Sequence, residues 1–240
     1  MLARSLRRRG RLLRGKPSAH EQPTSLPKVA WSDVFQRQKV CLIETAKRSG
    51  NVTLGELAIL AQAAAGIPDG SEVIEIGTFD GRTTVNLALS ASPNSAIFTL
   101  DLPPHQPTQL QLEAGERRYV DKPLPGARFS HGRQSFPGLT ERITQLLGDS
   151  ATFDWSNHYG KAGLVFVDGS HAYEYVRLDS ATAMRLAVSN GVVLWHDYGV
   201  WDGVTRALEE LERTNNLGLR HIRGTSLVIW RAQARSLPRA

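Results

Sequence analysis

The sequence predicts an α/β fold built on a doubly wound, mostly parallel sheet of seven strands, with helices on both faces and an antiparallel hairpin at the carboxyl end. Strand-like apolar runs alternate with helix-like segments from residue 71 onward, which is typical of a parallel sheet. Runs such as "GLVFVDG" (163–169) are continuously apolar until their final turn, as expected for strands buried on both faces. The last two apolar runs are joined by so few residues that they must lie antiparallel.

The predicted elements follow one another along the chain. Five apolar runs make the parallel strands, at 72–77, 96–101, 127–132, 163–169 and 191–197. Helices are predicted between most of these strands and after the last, at 82–91, 107–120, 138–147, 173–189 and 203–214. The segments "GLRHIRG" and "TSLVIWRA" complete the sheet as the hairpin, with Gly224 in its turn.

The chain divides into four predicted segments. They are a basic tail with a proline-rich linker (1–28), two N-terminal helices (29–66), the main domain (67–232) and a carboxyl-terminal tail (233–240). The two helices are predicted over 31–47 and 53–66. Thr53, with Glu56 three residues later, has the sequence pattern of a capping box, which favours a helix start at this point.

The net charge of +6 is a property of the tail and not of the main domain. Residues 1–20 contain seven cations and no acid, so the rest of the chain carries about −1 (+6 minus 7). A nearly neutral body argues against a nucleic-acid partner. The interleaved leucines and arginines of residues 1–16 are compatible with a disordered tail, a basic helix on an anionic membrane surface, or a transit peptide.

The cysteine content and the hydropathy of the chain limit the cellular compartments in which we expect the protein. A single cysteine, Cys41, excludes an intramolecular disulfide framework and a cysteine-rich zinc site, and it fits a reducing compartment. No run of about 18 apolar residues is present to span a bilayer. We therefore expect a cytoplasmic protein, with peripheral membrane contact through the tail as an alternative. The sequence leaves the oligomeric state open, a homo-oligomer included.

Polar residues follow each of the five predicted parallel strands. Ligands of such sheets bind at the carboxyl ends of the strands, beside the point where strand order reverses. The residues at these ends are Glu75 and Gly77, Asp101, His131 and Gly132, Asp168, and His196 and Asp197. Four of the five ends carry an acid, which is more than turn composition alone supplies. We expect these side chains to lie together in one site.

The turn in "VIEIGTFDGRTT" (73–84) does not match a nucleotide-phosphate site. A dinucleotide fingerprint needs a glycine where Phe79 stands, and the chain has no P-loop pattern. Asp80 would repel a phosphate at the start of the following helix. The turn instead suits a nucleoside cofactor without phosphate, with a plain strand–helix turn as the alternative.

This turn resembles the first motif of the class I S-adenosylmethionine-dependent methyltransferases, and Asp101 stands where that family has the acid of its second strand. The resemblance implies a Rossmann-like sheet and S-adenosylmethionine as the cofactor. It assigns the methionine end to Glu75, Gly77, Thr78 and Gly81, the ribose to Asp101, and the adenine to Arg133, Gln134 and Ser135. Phe79, Thr83 and Asp168 complete the cofactor-binding set that it predicts.

Two further segments, "VDGSHAYEYV" (167–176) and "LWHDYG" (194–199), are similar to the family-24 branch of these enzymes. That branch is related to catechol O-methyltransferases and to O-methyltransferases of sugars and secondary metabolites. The resemblance covers roughly residues 53–231. It implies methyl transfer from S-adenosylmethionine to a hydroxyl group of a small molecule or glycan.

Methyl transfer to an alcohol is faster when a general base or a divalent metal activates the hydroxyl group. Asp168 and Asp197 offer the oxygen ligands that Mg²⁺ prefers, while His196 stands where the catechol enzymes have a carboxylate and favours Zn, Mn or Fe. We predict these three residues as a metal site. His171, three residues after Asp168, is the predicted general base, with His196 as the alternative and Asp168 as the third catalytic residue.

Two other functions stay open on the sequence alone. An NAD(P)-dependent oxidoreductase is disfavoured by Phe79, for which the dinucleotide fingerprint requires glycine. A methyltransferase-like fold that has lost catalysis and serves as a binding module would show cofactor binding without turnover.

Overall fold

The computed structural model describes residues 24–44, 50–121, 125–129 and 137–233. Several predictions therefore fall outside the described residues: those for the basic tail, for His131 and Gly132, and for the adenine contacts Arg133, Gln134 and Ser135. None of the helices in the described part of the chain is long and apolar enough to span a membrane.

In the described residues, one sheet contains eight strands: β1 (Lys28–Val29), β2 (Glu72–Ile76), β3 (Ile97–Asp101), β4 (Ile143–Leu147), β5 (Ala162–Val167), β6 (Ala187–Trp195), β7 (Arg220–Ile222) and β8 (Val228–Arg231). Their order is β1-β7-β8-β6-β5-β2-β3-β4. Strands β4, β3, β2, β5 and β6 are parallel, and β8 is antiparallel to both β6 and β7. The predicted Rossmann-like sheet with its antiparallel hairpin is confirmed, with eight strands in place of seven. The additional strand is the two-residue β1, which pairs in parallel with β7.

The described helices are α1 (Leu54–Ala65), α2 (Arg82–Ser90), α3 (Arg117–Val120), α4 (Pro137–Thr140), α5 (Tyr173–Leu186) and α6 (Asp202–Asn215), with 3₁₀ turns at Trp31–Asp33 and Ser156–His158. α1 begins with the predicted capping box of Thr53 and Glu56. Helices α1 and α2 cover one face of the sheet, and α5 and α6 cover the other.

The surroundings of strand β5 explain why its sequence is continuously apolar. Leu164 and Phe166 pack into the core under α1 and α2, while Val165 and Val167 pack into the core under α5 and α6. All four side chains are buried. Burial of each such side chain stabilises the fold by about 1.5–3 kcal/mol, so both faces of the strand contribute.

The helix predicted over 31–47 is wrong in the part that the structure describes. After the 3₁₀ turn, residues 34–44 are irregular. Amide side chains from α1 and α2 replace the missing helical hydrogen bonds. Gln62 bonds both the N–H and the C=O of Gln38 (2.7 and 2.5 Å), and Asn86 does the same for Ile43 (2.8 and 3.0 Å). The backbone groups of Gln38 and Ile43 are therefore satisfied without a helix.

Three predictions between β3 and β5 are also wrong. Residues 127–129 are helical where a strand was predicted, and the helix predicted over 138–147 is α4 followed by β4. The helix predicted over 107–120 is reduced to α3. β4 lies at the edge of the sheet with Thr144 and Leu147 exposed, so its sequence lacks the continuous apolar run of a central strand.

Strand order reverses between β2 and β5. The chain passes from β2 through α2 to β3 on one side, whereas β5 and β6 lie on the other side of β2. The connections after β2 and β5 therefore diverge at the carboxyl edge and leave room for a ligand between them.

Candidate active site

A cleft opens at this reversal point and is lined by the residues that follow β2, β3, β4 and β5. Residues 50–52 and the segment that leads into α3 close its sides. The predicted residues that line it are Gly77, Thr78, Phe79, Thr83, Asp101, Asp168 and His171. The structure therefore brings together residues that lie almost 100 positions apart in the sequence.

The turn after β2 is shaped by close backbone packing. Gly77 has a φ of 104°, and a Cβ atom placed on it would lie 2.0 Å from the carbonyl oxygen of Asp168. No side chain fits in that space. Two residues later, the backbone N–H of Phe79 donates to Asp101 Oδ2 at 2.7 Å. Gly77 thus lets the turn approach the end of β5, and Asp101 holds the turn in place.

Glu75 lies beneath this turn and does not line the cleft. Its carboxyl group is fully buried and accepts hydrogen bonds from the hydroxyls of Thr84 and Thr99. Burial raises the pKa of Glu75 to about 8, and the two hydrogen bonds only partly oppose that rise. The contacts seen for Glu75 are those of a structural residue that ties β2, β3 and α2 together.

The end of β4 supplies cleft residues that sequence reasoning missed. Gly148, Asp149 and Ser150 follow β4 and line the cleft. The adenine prediction for residues 133–135 depended on a third strand at 127–132, and the strand that pairs with β3 is β4. The Gly-Asp-Ser turn after "ITQLL" was the signal that could have revealed this strand end.

Beyond the cofactor turn lies a charged cluster of six residues: Glu56, Glu116, Asp168, His171, His196 and Asp197. His171 Nε2 lies 2.8 Å from Asp197 Oδ2. His196 Nδ1 lies 3.1 Å from Asp168 Oδ1 and 3.3 Å from Asp197 Oδ1. His196 therefore bridges the carboxylates that follow β5 and β6, whereas His171 contacts only the second of them, Asp197.

Three members of the charged cluster have the arrangement of a metal site. The ligand atoms of Asp168, His171 and Asp197 all lie within 4.8 Å of one another. His196, which was predicted as a ligand, is not in this group. It lies deeper, with 3% of its surface exposed, and its Nε2 atom faces Glu56 Oε2 at 3.4 Å. Two carboxylates and one imidazole are a donor set that fits a divalent cation.

The family model described as a methyltransferase domain, family 24, matches residues 74–198, which is more than half of the chain. The matched range begins in β2 and ends just after β6, so it contains the cofactor turn, Asp168, His171 and Asp197. The chain belongs to this methyltransferase family. The predicted class I family is therefore confirmed, and with it S-adenosylmethionine as the methyl donor. The oxidoreductase alternative is ruled out.

Solved structures of other methyltransferases share the fold. The O-methyltransferase NovP superposes with a TM-score of 0.58 at 15% identity, covering 74% of this chain and 79% of NovP. TomG from Streptomyces achromogenes, solved with S-adenosylmethionine, gives 0.51 at 17% identity, covering 77% and 82%. CalS11, a TDP-rhamnose 3'-O-methyltransferase, gives 0.51 at 17% identity, covering 75% and 81%. No curated protein matches the chain.

The protonation of His171 in this methyltransferase bears on its predicted role. Burial lowers the pKa of the imidazole, but the hydrogen bond to Asp197 and the nearby Glu116 carboxylate outweigh burial and raise the pKa to about 9. His171 is then protonated near neutral pH, and a protonated imidazole cannot accept a proton. The neighbouring carboxylates also raise the pKa of His196 well above its usual value, against the effect of burial. General-base catalysis by either histidine stays a prediction.

Three residues of the methyltransferase site had no functional prediction. Asn51 Nδ2 donates to both carboxylate oxygens of Asp197 (2.8 and 3.1 Å). Glu56, recognised only as a helix cap, faces His196, and Glu116 contacts His171. Each comes from a segment outside the strand ends, and no local sequence pattern marks Asn51 or Glu116 as a site residue.

Proposed function

We propose that the protein transfers the methyl group of S-adenosylmethionine to a hydroxyl group of a small molecule or sugar, assisted by a divalent cation bound to Asp168, His171 and Asp197. The observation that carries the proposal is the position of this trio. Asp168 and His171 line the same cleft as the cofactor turn, and Asp197 contacts His171 directly. A hydroxyl group beside the trio would also be beside the methyl donor.

The residues of the cleft divide between the two ends of the donor. We assign the methionine end to the backbone of residues 77–79 and the ribose to Asp101, whose carboxylate already accepts the N–H groups of Phe79 and Leu102. We assign the adenine to the turn of Gly148, Asp149 and Ser150, because it follows the third strand of the sheet. With these assignments, the donor would lie across the carboxyl ends of β2, β3 and β4, and its methyl group would point toward the charged cluster.

The trio supplies the second requirement of the reaction, an activated acceptor. A bound divalent cation lowers the pKa of a coordinated hydroxyl group. Two carboxylates provide the negative charge that holds a cation, and it would take the place of the proton on His171. In this proposal the raised pKa of His171 follows from the same negative charge that favours cation binding. Orientation of donor and acceptor in one cleft contributes the rest of the rate enhancement.

The acceptor class is supported by the structural relatives. NovP and TomG are named as O-methyltransferases, and CalS11 is named for methylation of a nucleotide-linked rhamnose. Methyl-labelled S-adenosylmethionine should therefore be tested with a panel of phenolic and nucleotide-sugar acceptors, with and without Mn²⁺. Transfer that depends on Mn²⁺ is expected. Binding of the donor without transfer to any acceptor would favour the binding-module alternative.

The donor site is tested by calorimetric titration with S-adenosylhomocysteine. We expect the wild-type chain to bind and Asp101→Ala to weaken binding at least about 10-fold, since the substitution removes hydrogen bonds to the ribose and to the turn. The exposed Asp33→Ala is the matched control and should leave affinity unchanged. Equal affinity of the Asp101 variant and the control would contradict the ribose assignment.

A further inference from the structure

We propose that Glu116 is a positioning residue that fixes the orientation of the His171 side chain. The inference rests on the proposed function, in which His171 is a ligand of the cation. It adds to the cation site a residue from the segment between β3 and β4.

Both oxygens of Glu116 are engaged, and the residue is 1% exposed. Oε1 accepts the backbone N–H of His171 at 2.6 Å and lies 3.3 Å from Nδ1 of the same residue. Oε2 accepts the backbone N–H of Glu113 at 2.9 Å. One carboxylate oxygen thus contacts both the main chain and the ring of His171, which restricts rotation of the ring relative to its own backbone.

The other sides of the imidazole are also occupied. The ring stacks on Trp201 with centroids 4.4 Å apart and planes at 10°, and Tyr119 meets its edge at 5.7 Å. Nε2 faces Asp197, and Nδ1 faces Glu116 Oε1 in a charge contact that lacks hydrogen-bond geometry. The partner of one imidazole nitrogen sets the tautomer and direction of the other, and the loss of such partners commonly costs 10- to 100-fold in metal affinity.

Glu113 offers a matched comparison within the same segment. Its Oε2 atom accepts the backbone N–H of Gly203, at the start of α6, at 3.1 Å. Glu113 and Glu116 therefore both attach residues 113–120 to the rest of the molecule, but only Glu116 makes a direct contact with His171 among the contacts described. A variant of Glu113 tests the attachment of the segment without removing a contact to the imidazole.

The experiment is calorimetric titration of Mn²⁺ into the full chain. We expect Glu116→Ala to weaken Mn²⁺ binding about 10- to 100-fold. Glu116→Gln, whose amide oxygen can still accept the His171 N–H, should lose less, and Glu113→Ala should stay within about 2-fold of wild type. Circular dichroism of each variant establishes that it is folded. An equal loss in the Glu113 and Glu116 variants would overturn the proposal, because both would then act through the segment.

A second measurement is independent of the metal and of activity. Histidine labelled with ¹⁵N reports the ring nitrogens in long-range ¹H–¹⁵N spectra, and His171→Gln identifies the signals of His171 by their loss. Glu116→Ala should shift those signals strongly, and Glu113→Ala, which removes only an indirect electrostatic interaction, should shift them far less. Unchanged His171 signals in the Glu116 variant would overturn the proposal. If wild-type chain binds no Mn²⁺, the cation part of the proposed function fails and these spectra alone decide the role of Glu116.

Discussion

The cofactor turn (residues 77–83) and the charged cluster lie at neighbouring strand ends but are held in place by different forces. The turn depends on backbone shape, because Gly77 leaves no space for a side chain against Asp168 and Asp101 accepts a backbone N–H. The cluster depends on charge, because two buried imidazoles separate four carboxylates. A change of volume should therefore damage the turn, whereas a change of charge at constant volume should damage the cluster.

The largest effect is expected from Gly77→Ala. Its Cβ atom would lie 2.0 Å from a backbone oxygen, and φ is 104°, so the chain must move or unfold locally. We expect a loss of about 3 kcal/mol or more in the free energy of unfolding, measured by urea denaturation. Gly70→Ala is the control, because φ is 74° but nothing lies within 4 Å of the added atom. The Gly70→Ala variant should lose only about 1–2 kcal/mol in the free energy of unfolding, from backbone strain. Equal losses would show that packing at Gly77 is unimportant.

An intermediate effect is expected from Glu56→Gln, which keeps the volume and removes the charge that faces His196. Burial raises the pKa of Glu56, but the contact with His196, the charge of His196 and the backbone N–H groups of Ser226 and Thr53 together reverse this and hold the pKa well below its usual value. The ionised carboxylate therefore contributes stability above about pH 4.5, and this contribution is lost as the pH falls. We expect the variant to lose about 2 kcal/mol at pH 7 and less near pH 4.

The exposed ion pair of Glu174 and Arg177 provides the comparison for that variant. Both side chains are 56% exposed, so Glu174→Gln should change the free energy of unfolding very little. Thermal or urea unfolding at pH 4 and pH 7 measures both variants. A pH-independent loss in Glu56→Gln would show that its contribution comes from hydrogen bonds and not from charge.

The smallest effect is expected from Glu75→Gln, beneath the turn. The raised pKa of about 8 means that the folded protein keeps this proton while the unfolded chain releases it near pH 4.5. The contribution of Glu75 to the free energy of unfolding is therefore fully present below pH 4.5 and is lost as the pH rises toward 8. Between pH 6 and pH 7 the free energy of unfolding of wild type should fall by about 1 kcal/mol more than that of Glu75→Gln. The exposed Glu141→Gln is the control and should follow wild type; parallel slopes for all three would contradict the assignment.

The parts of the molecule that were predictable from sequence are those in which local pattern and tertiary burial agree. Strands β2, β3 and β5 are buried central strands, and Asp101 and Asp168, at the ends of β3 and β5, were located in the cleft as expected because the strand ends were clear. β4 escaped prediction because an edge strand with exposed Thr144 carries no continuous apolar run. The adenine contacts were consequently placed after a strand that does not exist in the described residues.

The charged cluster was predictable only in part, for a different reason. Asp168 and Asp197 follow strands that the pattern identifies, so their convergence could be expected. Asn51 and Glu116 reach the cluster from irregular segments. Long-range hydrogen bonds hold these segments, such as that from Arg82 to the Val52 carbonyl and that from the Gln109 N–H to Asp149. Which of His171 and His196 lines the cleft also depends on how deeply each is buried. The spacing of residues along the sequence carries no information on depth of burial.

Asp197 has a further property with a consequence for the whole site. Its φ is 65°, a left-handed conformation that residues other than glycine seldom adopt, and Asn51, His171 and His196 surround its carboxylate. The side-chain contacts thus hold the backbone in a conformation it would not choose alone. The loop after β6 is held by these contacts, so a cation bound as proposed would give up little of its binding free energy to shape the loop.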